Sequence, residues 1–86
     1  MQMNEYQALA RRTQNTEPNM KARKEHALFG LAAECGEVLG HFQKVHQGHP
    51  LVPDDVIKEL GDVLWFVAEV SDLLRTDMDT VARRNI

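Results

Sequence analysis

LFGLAAECGEVLGHFQK, residues 28–44, and VIKELGDVLWFVAEVSDLL, residues 56–74, are the stretches that decide the fold. In the first, Leu28, Leu31, Cys35, Val38, Leu39 and Phe42 recur at spacings of three and four, the pattern of a helix with one buried face. In the second, Val63 to Val67 alone would suit a buried strand. The flanks KELGD and AEVSDLL keep the 3.6-residue period, so the spacing predicts a helix. Pro53 suits a first helical position, and Asp54 and Asp55 suit the positive end of the helix dipole. The second helix is thus expected from about Pro53 to Leu74. The first extends from Lys21 to about Gln47. The joining GHPLVP, residues 48–53, is short, so the two helices should pack antiparallel.

Working outward, TQNTEPNM at 13–20 is polar, contains a proline and reads as a loop. Before it, Asn4 to Arg12 forms a short helix candidate with Tyr6 and Leu9 three apart. After the second long helix, Thr76-Asp77-Met78-Asp79 resembles a capping box with Asp in place of Glu, opening a last helix towards Ile86. The expected fold is all-α: a bundle of two long antiparallel helices plus short N- and C-terminal helices, in one domain over 1–86.

At 86 residues the domain is small and buries only about two-thirds of its unfolded surface. Trp65, Phe66, Val67 and Leu73 cover more than one side of the second long helix, and two long helices alone cannot bury them all. Completion of the bundle as a homodimer or homotetramer is therefore expected. Ten Lys and Arg against 13 Asp and Glu give a net charge of −3, which argues against a nucleic-acid binder. No apolar run approaches 18 residues, so no membrane partner is expected. The opening MQMNEYQ lacks the layout of a signal peptide, and the single cysteine excludes an internal disulfide. Both fit a cytoplasmic protein.

The chemistry lies in acids inside the helices. Glu34 and Glu37 are three apart on the first long helix, and Glu59 and Asp62 are three apart on the second. Each pair shares a stripe, and antiparallel packing sets the stripes opposite each other. Each pair also encloses a glycine, Gly36 or Gly61, at a cost of about 1 kcal/mol against alanine. Close helix approach or room for a ligand would explain that cost. Four carboxylates beside apolar positions repel and are expensive to desolvate, which a divalent cation relieves. Oxygen ligands favour Mg²⁺ or Mn²⁺ over zinc. The alternative on pattern alone is a solvated acidic face.

Other residues carry weaker signals. His41 shares the stripe of Glu34 and Glu37, but no Glu-x-x-His occurs, which argues against a di-iron bundle. His46 and His49 read as solvated loop histidines, and Cys35 as a small hydrophobe. Trp65 and Phe66 follow Asp62 by three and four, as either a stacking wall for a base or core.

The segments 28–44 and 56–74 resemble the two signature helices of MazG-like nucleotide pyrophosphohydrolases. That family carries ExxE followed some 12–28 residues later by ExxD, and here 21 residues separate Glu37 from Glu59. The string KELGDVLWFVA after GLAAECGEV is the specific part. The opening NEYQALARRT and closing DMDTVARRNI resemble the family's first and last helices, so the likeness spans nearly the whole chain.

The resemblance implies a Mg²⁺-dependent enzyme that hydrolyses nucleoside triphosphates to monophosphate and pyrophosphate, working as a dimer or tetramer. It implies that Glu34, Glu37, Glu59 and Asp62 are the Mg²⁺ ligands. In the family a Lys and an Arg beyond the last helix reach the phosphates. Here Lys44, Lys58, Arg83 and Arg84 are the candidates for that task, with Asn85 and Trp65 as further substrate contacts. Within the superfamily, dUTP- or dCTP-specific enzymes share these helices. Phosphoribosyl-ATP pyrophosphohydrolases carry a second motif closer to EAADLLYH. The reading from a different class is a non-enzymatic helical interaction module.

Overall fold

Local signals fix the helix ends. The computed structural model describes residues 1–86 and holds four helices: α1 (Met3–Arg11), α2 (Met20–His46), α3 (Pro53–Leu73) and α4 (Met78–Asn85). Each lies within about a residue of its expected position. Pro53 opens α3, with Asp54 and Asp55 in its first turn. Asn19 caps α2 by accepting from the Ala22 N–H at 3.0 Å. The last helix departs by one residue from the expected capping box. Asp77, not Thr76, is the N-cap, and its carboxylate accepts from the Thr80 N–H at 2.8 Å.

Both long helices end in a left-handed residue. Gly48 follows α2 with φ +98°, and Arg75 follows α3 with φ +56°. In each case the next residue donates its N–H back across the turn: His49 to the Lys44 carbonyl and Thr76 to the Ser71 carbonyl, both at 3.0 Å. This pattern satisfies otherwise unpaired carbonyls at the helix end.

α3 is the centre of the molecule. α2 packs against α3 alone, whereas α1 and α4 pack against α3 and each other. Ala10, Ala68 and Met78 join α1, α3 and α4 in a small core, with Tyr6, Leu64, Trp65 and Val67 packed around it. Trp65, Phe66, Val67 and Leu73 are half-buried within one chain. Part of the burial expected from a partner subunit thus comes from the chain itself: the two short helices cover the side of α3 that α2 leaves free.

The unmet burial lies on α2 instead. Only Ala27 is buried there. Leu28, Leu39 and Phe42, expected to face a core, are 54%, 69% and 49% exposed, and Cys35 is exposed as well. The reason is topological, because α3 is the only element that covers α2. The glycine expectation is also revised. A methyl on Gly36 or Gly61 would meet open space, so neither marks a close approach within the chain. Gly30 does: a methyl there would collide with the Phe66 ring, so glycine is what lets α2 and α3 approach.

Candidate metal centre

Antiparallel packing of α2 on α3 brings Glu34, Glu59 and Asp62 together. One carboxylate oxygen from each lies within 4.8 Å of the other two. Glu59 and Asp62 are three apart and share a stripe of α3, and Glu34 faces them from α2. Glu37 lies one turn further along α2, exposed and outside this three-way cluster.

No backbone amide, lysine or arginine donates to these oxygens; the one polar neighbour is His41, whose Nε2 lies 3.5 Å from Glu59 Oε1. The electrostatic result is visible at Glu34. Burial, then the charges of Asp62, Glu59 and Glu37, push its carboxyl above the ordinary glutamate value. Oxygens about 2.1 Å from Mg²⁺ in an octahedron stand roughly 3–4 Å apart, so small side-chain rotations suffice for shared ligation. An all-oxygen set without competing donors fits a hard divalent cation.

Two neighbours carry no decisive signal in the sequence. His41 was visible on the acid stripe, but its contact with Glu59 depends on where α3 lies. Tyr6 of α1 stands near enough to Asp62 for that charge, after burial, to raise its phenol above the usual tyrosine value. Nothing in NEYQA links Tyr6 to a residue 56 positions away.

The remaining candidates are dispersed. Lys44 and Lys58 are exposed and form no ion pair. Arg83 is held by Asp79 at 2.7 Å, one turn back on α4. Arg84 is unpaired and lines a shallow groove with Thr76, Thr80 and Val81. Asn85 is exposed at the end of α4. None of them hydrogen-bonds the acid cluster. Trp65 donates its indole N–H to Thr13 Oγ1 at 2.9 Å and meets Phe66 edge-on at 4.9 Å. Its ring also packs on the Ala10–Ala68–Met78 core, so it pins the loop after α1 to α3. His46 and His49 are exposed near the α2–α3 turn and form no three-ligand cluster.

The family model described as MazG nucleotide pyrophosphohydrolase domain matches residues 23–86, which include all four acids. The chain is also similar to the "Gene 37 protein" of Mycobacterium phage L5, at 33% identity over 66 residues. That alignment covers 71% of this chain and 58% of the relative, so the chain spans little more than half of that protein. No solved structure matches the chain. No helix is long and apolar enough to cross a membrane. With two signature helices converging on one acid cluster and the family model spanning both, the chain belongs to the MazG nucleotide pyrophosphohydrolase domain family.

Proposed function

We propose that this chain hydrolyses nucleoside triphosphates to nucleoside monophosphate and pyrophosphate, with Glu34, Glu59 and Asp62 holding Mg²⁺, or Mn²⁺ in its place. The observation that carries this reading is the convergence of three carboxylates from the two signature helices, with no lysine or arginine paired to any of them. Bound there, the ion would neutralise charge on the triphosphate and lower the pKa of a water. Glu37 is the fourth acid of the motif. Exposed and outside the three-way cluster, it is free to orient the attacking water or accept its proton.

The chain offers no GxxxxGK[ST] loop to cradle phosphates and no Ser/His or Cys/His nucleophile motif. Water is then the nucleophile, and unpaired cations take the phosphates: Lys44, Lys58 and Arg84 are available, while Arg83 would first have to leave Asp79. Asn85 and Trp65 are the proposed contacts for the rest of the substrate.

A second copy of the chain completes the fold in this reading. The exposed apolar side chains of α2, with Ile57 and Leu60 of α3, form the surface it would bury. Light scattering at micromolar concentration should give a dimer or tetramer mass.

A nucleotide panel with Mg²⁺ and Mn²⁺, scoring pyrophosphate release, tests the activity. Hydrolysis in ¹⁸O-labelled water should place label in the monophosphate. Release of nucleoside diphosphate and inorganic phosphate would contradict the proposed bond cleavage.

A further inference from the structure

Beside the acid cluster, the turn between α2 and α3 encloses a depression of about 160 Å³. His41, Lys44, His49, Pro50, Leu51 and Val52 line it. The local sequence builds this arrangement. His41 and Lys44 are three apart on α2 and share a face. Gly48, at φ +98°, reverses the chain and lets the His49 N–H bond to the Lys44 carbonyl at 3.0 Å. The turn therefore carries His49 back beside Lys44. Neither side chain is held elsewhere, since Lys44 and His49 make no side-chain hydrogen bond or ion pair. One carboxylate, Asp55, reaches the rim. It sits in the first turn of α3, at the positive end of the helix dipole.

His41 joins the depression to the acids, because the same imidazole that lines it lies 3.5 Å from Glu59. An anion seated against Lys44 and His49 is thus one side chain away from the cluster. We propose that this depression is the pyrophosphate subsite, taking the β and γ phosphates of the substrate and then the pyrophosphate product. The assignment rests on the triphosphate reading above and adds where the leaving group goes. Lys44 supplies the fixed positive charge and His49 an N–H donor that a neutral imidazole retains, while His41, with Nε2 turned to Glu59, links the depression to the acids. Pro50, Leu51 and Val52 offer no side-chain oxygen to a competing cation.

The test is equilibrium binding of inorganic pyrophosphate by calorimetry, with and without Mg²⁺, to the wild-type chain and to the doubly substituted Lys44→Ala/His49→Ala. Both positions are exposed, so the fold should survive, which circular dichroism checks. Affinity should fall by about tenfold or more, the scale of losing a charge-assisted contact and a neutral one. Lys24→Ala, which removes the same charge elsewhere on α2, should leave it unchanged. Equal affinity in the doubly substituted chain, an equal loss in Lys24→Ala, or no pyrophosphate binding by the wild type would each overturn the proposal. A separate Mn²⁺ titration reads the acid cluster alone. Its failure would remove the metal reading while the pyrophosphate result still decides the subsite.

Discussion

α3 contributes to two carboxylate sites, with Asp62 and Asp72 ten residues apart, and the two solve the same problem in opposite ways. Asp72 is surrounded by donors: Gln7 Nε2 at 2.8 Å, Arg11 Nη2 at 2.8 Å and Nε at 3.1 Å, and Gln14 Nε2 at 3.1 Å. Burial alone would raise its carboxyl, but the hydrogen bonds and charge of Arg11, with Gln7 and Gln14, outweigh burial and hold it below the ordinary aspartate value. Glu34, Glu59 and Asp62 have only one another and His41, and Glu34 moves the other way. An acid that holds the fold together is given its counter-charges by the chain. At the acid cluster the chain supplies no lysine or arginine, and in the proposed reading a cation from outside takes that place.

The contrast predicts different losses at the two sites. Asp62→Asn should lower turnover by at least about 100-fold, since even residues that merely support metal ligands cost 10–100-fold. The variant should keep its helical content. Glu37→Gln should also lower turnover but leave Mn²⁺ binding closer to wild type than Asp62→Asn does, because Glu37 lies outside the cluster. Equal metal affinity in all three proteins would break the contrast.

Asp72→Ala should do the reverse, lowering stability rather than chemistry. It removes the anchor of α1 and strands Gln7, which is buried and also bonds the Thr76 carbonyl and the Met78 N–H. We expect a loss on the order of 2–3 kcal/mol by urea unfolding, kept modest because Arg11 is half-exposed.

Acid titration of the metal-free protein should separate the sites by sign. Glu34 has a raised folded value, so its ionised form costs the fold. That cost is fully present above the folded value and is relieved as pH falls through it. Asp72 has a depressed folded value. Its contribution is present above the unfolded value near 3.8 and is lost as pH falls through the folded one. Thermal midpoints should therefore rise slightly on acidification towards the glutamate range and fall steeply below it. Glu34→Gln should remove the rise, and Asp72→Ala should weaken the fall.

The smallest expected effect is at neutral pH. Glu34→Gln should raise the thermal midpoint of the metal-free chain, because one repelling charge is gone. The same change should abolish the stabilisation that Mg²⁺ gives.

Much of the acid cluster was legible in the sequence because it depends on two short-range facts. Residues three apart share a helix face, and a six-residue connection forces neighbouring helices antiparallel. The four helices were legible for similar reasons, through Pro53, the polar stretch 13–20 and the 3.6-residue period. The Asp72 hub was not, because its donors come from α1, about 60 residues earlier, and no local pattern fixes where α1 folds back. The same gap explains α3. Its apolar residues on more than one side pointed to a partner subunit, and α1 and α4 supply part of that cover. Gly30 carries no signal in the sequence, because the phenylalanine that faces it from α3 cannot be read from spacing. Glu69 stayed silent in the same way. It is 1% exposed, with His26 at 3.6 Å and neither carboxylate oxygen hydrogen-bonded.

The central claim is that the three converging carboxylates form a cation site, and Mn²⁺ calorimetry on the wild type beside Asp62→Asn tests it most directly. The account predicts saturable binding by the wild type, and a rise in unfolding free energy of about 2.7 kcal/mol when Mn²⁺ is at 100 times its dissociation constant. Asp62→Asn should lose both. Absence of saturable binding by the wild type, or undiminished binding by Asp62→Asn, would contradict it.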